Sequence, residues 1–256
     1  MVIELDGFDF ALALAIMGMA IAVSRWQRLG LEGQLAIATA RSILQLTVIG
    51  YLIAFIFALN HPLAVLGILL VMLTIAAIVA RNRISKKLQG LLPVVWGSLL
   101  ISSLFPLAYT IWLMIQPDSW YDPQYLIPLA GMILGNAMNG AALAGERLAS
   151  NISNSHLEIE THLSLGATPK QAIEAYRKEA IRASLIPTIN QMMVVGMVSL
   201  PGMFTGQVLA GADPLNAVSY QILILFMTAI ANLLTSILVT EGGYRRFFNA
   251  HAQLIH

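Results

Sequence analysis

Seven long apolar segments follow one another along this chain, separated by shorter polar connections. A bilayer core of about 30 Å needs about 20 apolar residues in one helix, and backbone groups in lipid must find their hydrogen-bond partners inside the same structure. The pattern therefore predicts an all-α, polytopic membrane helix bundle with seven transmembrane helices. The predicted spans are residues 8–23, 35–59, 63–80, 92–115, 126–148, 183–209 and 217–240.

The lysine and arginine residues occupy only every second connection between these spans. The connections around residues 60–61, 116–125 and 211–216 contain none. Because cytoplasmic loops retain Lys and Arg, the alternation predicts an N-terminus outside and a C-terminus inside. The fourteen basic residues are Arg25, Arg28, Arg41, Arg81, Arg83, Lys86, Lys87, Arg147, Lys170, Arg177, Lys178, Arg182, Arg245 and Arg246.

Composition agrees with a multi-pass protein of the cell inner (plasma) membrane, surrounded by lipid. Charged residues make up 11% of the chain and hydrophobic residues 58%, whereas a soluble domain has about 25% charged residues. No basic stripe is interleaved with aromatic residues, so nucleic acid is not an expected partner. Because the chain has no cysteine, disulfides and thiolate metal sites are excluded.

One connection, residues 149–182, is unlike the others, and we call it the coupling segment. A bare connection needs about 2–8 residues, so this length favours a docking role over a simple loop. Ser155 and Glu158 have the spacing of a capping box that opens a short helix, and Gly166 is predicted to end it. A second capping box lies in residues 168–171, with Pro at the first helical position. These signals predict a cytoplasmic helical hairpin.

The coupling segment resembles the coupling loop of ABC-transporter membrane subunits. Glu160 and Gly166 keep that loop's Glu-to-Gly spacing, although Thr-His replaces the usual Ala-Ala after Glu160. Four other stretches are similar to the FetB-type iron-export permease family, whose plant relatives are aluminium-tolerance half-transporters. They are residues 41–46 (Arg-Ser-Ile-Leu-Gln-Leu), 131–138 (Gly-Met-Ile-Leu-Gly-Asn-Ala-Met), 199–207 (Ser-Leu-Pro-Gly-Met-Phe-Thr-Gly-Gln) and 210–214 (Ala-Gly-Ala-Asp-Pro).

This resemblance, over roughly residues 8–248, implies one transmembrane permease domain (1–256) that serves an ABC exporter. The implied cargo is a metal ion, iron by resemblance, and the implied partner is a separate ABC ATPase subunit. We expect a homodimer of this chain with two ATPases. The chain lacks a Gly-x-x-x-x-Gly-Lys-[Ser/Thr] loop, so we expect no cofactor here and no enzyme activity, with ATP and Mg²⁺ on the partner. The implied ATPase-coupling residues are Glu160, Gly166, Ala167, Thr168, Pro169, Lys170 and Gln171.

Other functions stay open at this point. A sugar nucleotide or a metal chelate could replace the metal ion as the cargo. An ion-gradient-driven secondary transporter would place a carboxylate near the midplane, yet every Asp and Glu lies at or beyond the end of a predicted span. A membrane scaffold or receptor would not need an interrupted span. No nucleophile–base arrangement supports a membrane enzyme.

Several residues inside the spans are candidates for lining a translocation pathway. Arg41 lies one turn before Gln45; the alternative is that Arg41 extends to the cytoplasmic interface. Two asparagines in the fifth span could face the pathway or bond to other helices. The sixth span is interrupted at Pro201 and Gly202, and broken helices mark binding sites in several transporters. The candidates are Arg41, Gln45, Asn136, Asn139, Asn190, Gln191, Met192, Pro201, Gly202 and Gln207.

The sequence predicts no metal-ligand set within the membrane. His156 and His162 are six residues apart and do not share a helical face. The methionines of the sixth span are soft ligands but more often fill gaps in a core. In the last span, Asn232 is predicted to form an interhelical hydrogen bond.

Overall fold

A computed structural model describes residues 6–85, 90–249 and 253–254. Every regular element within these residues is a helix, which confirms the predicted all-α class. In chain order they are α1 (Gly7–Trp26), α2 (Glu32–Leu59), α3 (Pro62–Ile84), α4 (Leu91–Tyr109) with a π-helical turn (Thr110–Ile115), α5 (Pro123–Asn154), α6 (His156–Ser164), α7 (Pro169–Ala172), α8 (Glu174–Val194), α9 (Gly202–Leu209), α10 (Pro214–Gly243) and a final 3-10 turn (Tyr244–Phe247).

Six of the described helices are long and apolar enough to cross a membrane. They are α1, α2, α3, α4 with its π-helical turn, α5, and α10 with its 3-10 turn. These helices correspond to the first five predicted spans and the seventh. A multi-pass membrane protein is therefore confirmed.

The chain divides into two compact units, and the first contains α1 and α2. α1 begins with a capping box, because the Asp6 carboxylate accepts hydrogen bonds from the Phe8 and Asp9 amides at 2.9 and 3.0 Å. In return, the Asp9 carboxylate accepts the Asp6 amide at 3.0 Å. α2 ends at Leu59, and its C-cap Asn60 adopts a left-handed φ of 38°, a conformation that Asn tolerates better than most residues.

The second unit contains α3 to α8, residues 202–208 of α9, and α10. Glycines on α5 let its neighbours come close: a Cβ on Gly140 would lie 1.6 Å from Oδ1 of Asn232, and one on Gly145 would lie 2.5 Å from Cδ1 of Ile84. Small residues of this kind bring membrane helices into direct contact. Fully buried side chains from four helices fill the space between them, including Val65, Val95, Leu99, Ile133, Leu148 and Val239.

The two ends of this second unit differ in charge. At one end α5 and α10 begin, and Asp122 and Asp213 cap them by accepting the Gln124 and Asn216 amides. Basic residues gather at the other end, as the charge alternation predicts: Arg147, Lys170, Arg177, Arg245 and Arg246. Lys86 and Lys87 lie outside the described residues, and the orientation of the termini stays a prediction.

Residues 183–209 do not form one helix, which agrees with the predicted interruption of the sixth span. Between α8 and α9 lie residues 195–201, here called the broken segment. The helix stops because Gly196 adopts a φ of +82° and its N–H donates forward to the Ser199 carbonyl at 2.9 Å. The predicted interruption at Pro201 is thus present, and it begins six residues earlier than predicted.

The helical pieces on either side of the broken segment still have the combined length of one span. Residues 183–194 of α8 extend about 18 Å and α9 about 12 Å, which together match a hydrocarbon core of about 30 Å. A seventh passage made of two half-helices therefore stays a prediction.

Candidate functional site

The coupling segment begins on a helix that is longer than predicted. α5 continues to Asn154, and the Ser155 amide still donates to the Asn151 carbonyl at 3.0 Å. The Ser155 side chain caps no amide, because its backbone (φ −110°, ψ 26°) is not in the extended conformation that an N-cap needs. The predicted capping box of Ser155 and Glu158 is therefore wrong.

The predicted helix end at Gly166 is confirmed. Gly166 adopts a φ of +91°, and its amide donates to the Leu163 carbonyl at 3.0 Å. The Ala167 amide donates to the His162 carbonyl at 3.0 Å. This pair of bonds is a Schellman motif, which satisfies carbonyls at the end of α6.

The second capping box is also confirmed. The Gln171 amide donates to Oγ1 of Thr168 at 3.3 Å, and the Thr168 amide donates to Oε1 of Gln171 at 2.9 Å. Pro169 is the first residue of α7. One residue separates α7 from α8, whose first turn carries an ion pair between Glu174 and Lys178 at 2.6 Å. The hydrogen bond and charge of Lys178 lower the pKa of the Glu174 carboxyl.

One side of the coupling segment is packed against the rest of the second unit. Ile159 and Ile173 are fully buried, in a cluster that joins the end of α5 to the C-terminal residues. Its members are Leu148, Ile152, Ile159, Ala172, Ile173, Ala180, Tyr244, Phe248 and Leu254. This apolar contact holds the two short helices in a fixed position.

The other side of the coupling segment is exposed. Leu157 and Leu165 are each 80% exposed, although both are large apolar residues in a polar connection. Glu160 is also exposed, with Oε2 3.6 Å from Nδ1 of His156. The exposure of the two leucines was not predicted from the sequence. The only signal there is their spacing, because neither lies on the same helical face as the buried Ile159.

Two carboxylates attach α7 and α8 to their neighbours. The Glu179 carboxylate on α8 accepts a hydrogen bond from Nη2 of Arg147 at 2.6 Å. Arg147 lies near the C-terminal end of α5. Glu241, near the end of α10, accepts Nζ of Lys170 on α7 at 2.7 Å with one oxygen. Its other oxygen accepts Nη1 of Arg177 on α8. One carboxylate thus binds cations from both helices that follow Gly166.

Buried polar side chains attach α10 to α8 and to α4. Nδ2 of Asn232 donates to Oγ1 of Thr188 at 2.7 Å, which confirms the predicted interhelical bond. Ser184 donates to Ser236 at 2.8 Å, and further along the helix Ser102 bonds to Thr235. All six side chains belong to buried residues. Because each has a partner, these bonds fix the relative positions of the three helices.

A cavity of about 260 Å³ lies beside the broken segment. The broken segment contributes Val195, Gly196, Leu200 and Pro201 to its lining, α9 contributes Phe204, and α10 contributes Val218, Gln221, Ile222 and Leu225. Gln221 is only 8% exposed, and its Oε1 has no hydrogen-bond partner among the described residues. An unpaired amide oxygen in an apolar site is costly, so this is the most distinctive polar group in the cavity.

The broken segment also presents backbone oxygens without helical partners. Among the described residues, no backbone N–H donates to the carbonyls of residues 195–198. Met197 and Val198 are 80% and 83% exposed. Irregular backbone at membrane depth occurs where it is buried in protein or lines a water-filled cavity. In the predicted seventh passage, lipid alone would therefore not be a suitable environment for this segment.

The predicted pathway residues of the interrupted span, 183–209, fall into two groups. Pro201 lines the cavity, and Gly202 begins α9 beside it. The remaining four are not in the cavity lining: Asn190 and Gln191 are exposed near the end of α8, Met192 is half-buried, and Gln207 lies on α9 with a buried Oε1 that has no partner among the described residues.

The asparagines of α5 both bond to protein groups. Nδ2 of Asn136 donates to the Met132 carbonyl of its own helix at 2.9 Å. Oδ1 of Asn139 accepts Nη1 of Arg83 at 3.1 Å, which links α5 to α3. These contacts favour packing over pathway lining. In the first unit, Arg41 and Gln45 lie on α2 and are exposed.

The described part of the chain contains no group of three or more His, Cys, Asp or Glu residues that could hold a metal ion. The oxygens near the cavity are instead neutral: the Gln221 amide and the backbone carbonyls of the broken segment. Neutral oxygens of this kind coordinate cations at unwound helices in several transporters.

Comparison with known proteins matches nearly the whole chain. Residues 7–248 match the profile of a family described as "Uncharacterised protein family (UPF0014)". The "UPF0014 membrane protein slr1647" of Synechocystis is 59% identical over 253 residues, which cover 99% of this chain and 98% of that protein. No solved structure matches.

Two further relatives have more informative names. "Probable iron export permease protein FetB" of Escherichia coli is 36% identical over 247 residues, covering 96% of this chain and 94% of that protein. "Protein ALUMINUM SENSITIVE 3" of Arabidopsis thaliana is 35% identical over 245 residues, covering 95% and 88%. These relatives confirm the resemblance noted in the sequence.

Proposed function

Because this chain belongs to the UPF0014 family of membrane proteins, we propose that it is the permease subunit of an ABC exporter. In this proposal the protein lies in the cell inner membrane and moves a metal ion, first of all iron, out of the cytoplasm. The name of the Escherichia coli relative supports the direction and the cargo. The energy comes from ATP bound with Mg²⁺ on a separate ATPase subunit.

The coupling segment is the observation that carries this proposal. Its helices have satisfied ends at Gly166 and Thr168, and its inner side is fixed by the buried cluster around Ile159. The outer side presents Leu157 and Leu165 to a partner. A rigid helix pair with an apolar outer face can receive a force from an ATPase and pass it to the bundle.

The cargo would pass the broken segment by alternating access. The carbonyls of residues 195–198 and the amide of Gln221 offer oxygens that can replace part of a hydration shell. Protein must cover the unpaired backbone carbonyls of residues 195–198 in a bilayer. A second copy of this chain supplies that cover in the proposed homodimer with two ATPases.

The first test is co-purification with a soluble ATPase subunit. Wild type should retain the ATPase, and Gly166→Asp should lose it, because the new charge lies at the proposed docking surface. Gly166→Asn is the matched control, since Asn tolerates this conformation without a charge, and it should retain the ATPase. Retention by Gly166→Asp would contradict the docking role.

The cargo is tested separately, in vesicles that contain the purified complex. ATP-driven transport of Fe²⁺, Cu⁺ and a sugar nucleotide should be compared, with iron expected to give the largest rate. Preference for a sugar nucleotide would replace the metal ion as the cargo and leave the ABC assignment intact. ATP-independent transport driven by a proton gradient would instead favour a secondary transporter.

A further inference from the structure

We propose that Glu241 is the positioning residue that transmits movement of the coupling segment to α10. This inference rests on the proposed function, because it assumes that an ATPase acts on the coupling segment. It adds to the proposed function a specific contact, between Glu241 and the coupling segment, and a specific moving helix, α10. Neither follows from the position of Glu241 in the sequence, since this residue is 71 positions from Lys170.

The geometry is that of one anion held by two cations from different helices. Oε1 of Glu241 accepts Nζ of Lys170 on α7 at 2.7 Å, and Oε2 accepts Nη1 of Arg177 on α8. The side chains of Glu241 and Arg177 are only 30% and 18% exposed. Partly buried, charge-assisted bonds are stronger and better defined than pairs at the open surface. A displacement of either helix therefore acts directly on the end of α10.

The other ion pair between the coupling segment and the bundle leads elsewhere. Arg147 and Glu179 connect α8 to α5, and the cluster around Ile159 connects the short helices to the end of α5 and the C-terminal residues. Glu241 is the carboxylate that lies on α10 itself. This helix is uninterrupted from Pro214 to Gly243.

α10 also reaches the cavity beside the broken segment. Gln221 lies 20 positions before Glu241, about 30 Å along the helix axis, and it lines that cavity. Between them, Asn232 and Ser236 bond to α8, and Thr235 bonds to α4. A movement of α10 would therefore change the position of Gln221 in the cavity. The parts of α8 and α4 that bond to α10 would move with it.

The experiment measures whether nucleotide binding to the ATPase still changes the accessibility of the broken segment. The natural chain has no cysteine, so Met197→Cys introduces a single thiol at a position that is 80% exposed. In the purified complex with the ATPase, ATP with vanadate should change the thiol's labelling rate about fivefold or more. With Glu241→Gln added, the ATPase should still co-purify and hydrolyse ATP, and that change should disappear.

Two further variants keep the test decisive. Arg177→Met removes the other partner and preserves the Lys170–Glu241 bond, so it should also reduce the nucleotide response. Glu174→Gln is the matched control: it removes a carboxylate whose partner, Lys178, lies on its own helix, and it should leave the response unchanged. Thermal melting of each complex shows that the variants are folded.

The failures of the two proposals are distinguishable. A full nucleotide response in folded Glu241→Gln would overturn the role of Glu241 alone, as would an equal loss in Glu174→Gln. Loss of the ATPase from Glu241→Gln would make Glu241 a docking residue and would also overturn this inference. Absence of any ATPase from the wild-type complex would overturn the proposed function and this inference with it.

Discussion

The coupling segment and the broken segment use the same helix-interrupting residues with opposite results. Gly166 and Pro169 interrupt the first, and Gly196 and Pro201 interrupt the second. In the coupling segment, a Schellman motif and a capping box satisfy the helix ends. In the broken segment, the carbonyls of residues 195–198 have no backbone partner among the described residues. The first is built to keep its shape, and the second keeps polar groups free for another contact.

Packing separates the two regions in the same way. Ile159 and Ile173, in or beside the short helices of the coupling segment, are completely buried. Met197 and Val198 of the broken segment are more than three-quarters exposed. Regions with few buried contacts and unpaired backbone groups open most easily. The comparison predicts that mutations in the coupling segment affect partner binding, whereas mutations near the broken segment affect transport.

The largest expected effect is that of Leu165→Glu on ATPase binding. Burial of a leucine contributes about 1.5–3 kcal/mol, so its loss should weaken the complex roughly 10- to 150-fold. The measurement is titration of purified permease with the ATPase. Leu165→Met, which conserves volume and polarity, should bind normally, and unchanged binding by Leu165→Glu would remove this side chain from the interface.

Gln221→Leu should produce the opposite pattern, with a roughly tenfold loss of transport, equivalent to about 1.4 kcal/mol, and normal ATPase binding. Thermal stability should not fall, because the Oε1 that is lost has no partner among the described residues. Leu225→Met changes another lining residue without removing a polar group, and it should transport normally. Normal transport by Gln221→Leu would show that the cavity is not part of the translocation pathway.

An effect of similar size is expected on stability in the broken segment. Gly196→Ala should cost about 1–2 kcal/mol, because a β-carbon at φ +82° is strained. Gly206→Ala in α9 is the matched control: no atom lies within 4 Å of its added carbon, and alanine favours a helix. Thermal melting in detergent compares the two variants. Equal melting temperatures would show that the left-handed turn at Gly196 is not needed.

The sequence was sufficient wherever the signal is local. Long apolar runs located six membrane-length helices, and the spacing of Thr168 and Gln171 identified a real capping box. The same spacing failed at Ser155, because α5 extends past its apolar run and already includes the Ser155 amide. In the sixth span the interruption begins earlier than predicted, because hydropathy does not register the left-handed Gly196 within an otherwise apolar stretch.

Contacts between distant residues could not be predicted. The Glu241 carboxylate looked like an ordinary charge at the end of the last span, since its partners come from another part of the chain. Gln221 was overlooked because one amide in an apolar helix has no distinctive neighbours in sequence. The close packing at Gly140 could not be predicted either, because it depends on Asn232, which packs directly against it.

The length of α5 has a consequence for where an ATPase would meet this protein. Its 32 residues extend about 48 Å, against a hydrocarbon core of about 30 Å. Even at a tilt of 40°, the upper end of the usual range, the helix would span about 37 Å along the bilayer normal. Several ångströms of α5 must stand in the headgroup layer or beyond it. If that excess lies at the Asn154 end, a docked subunit can approach α6 without displacing lipid.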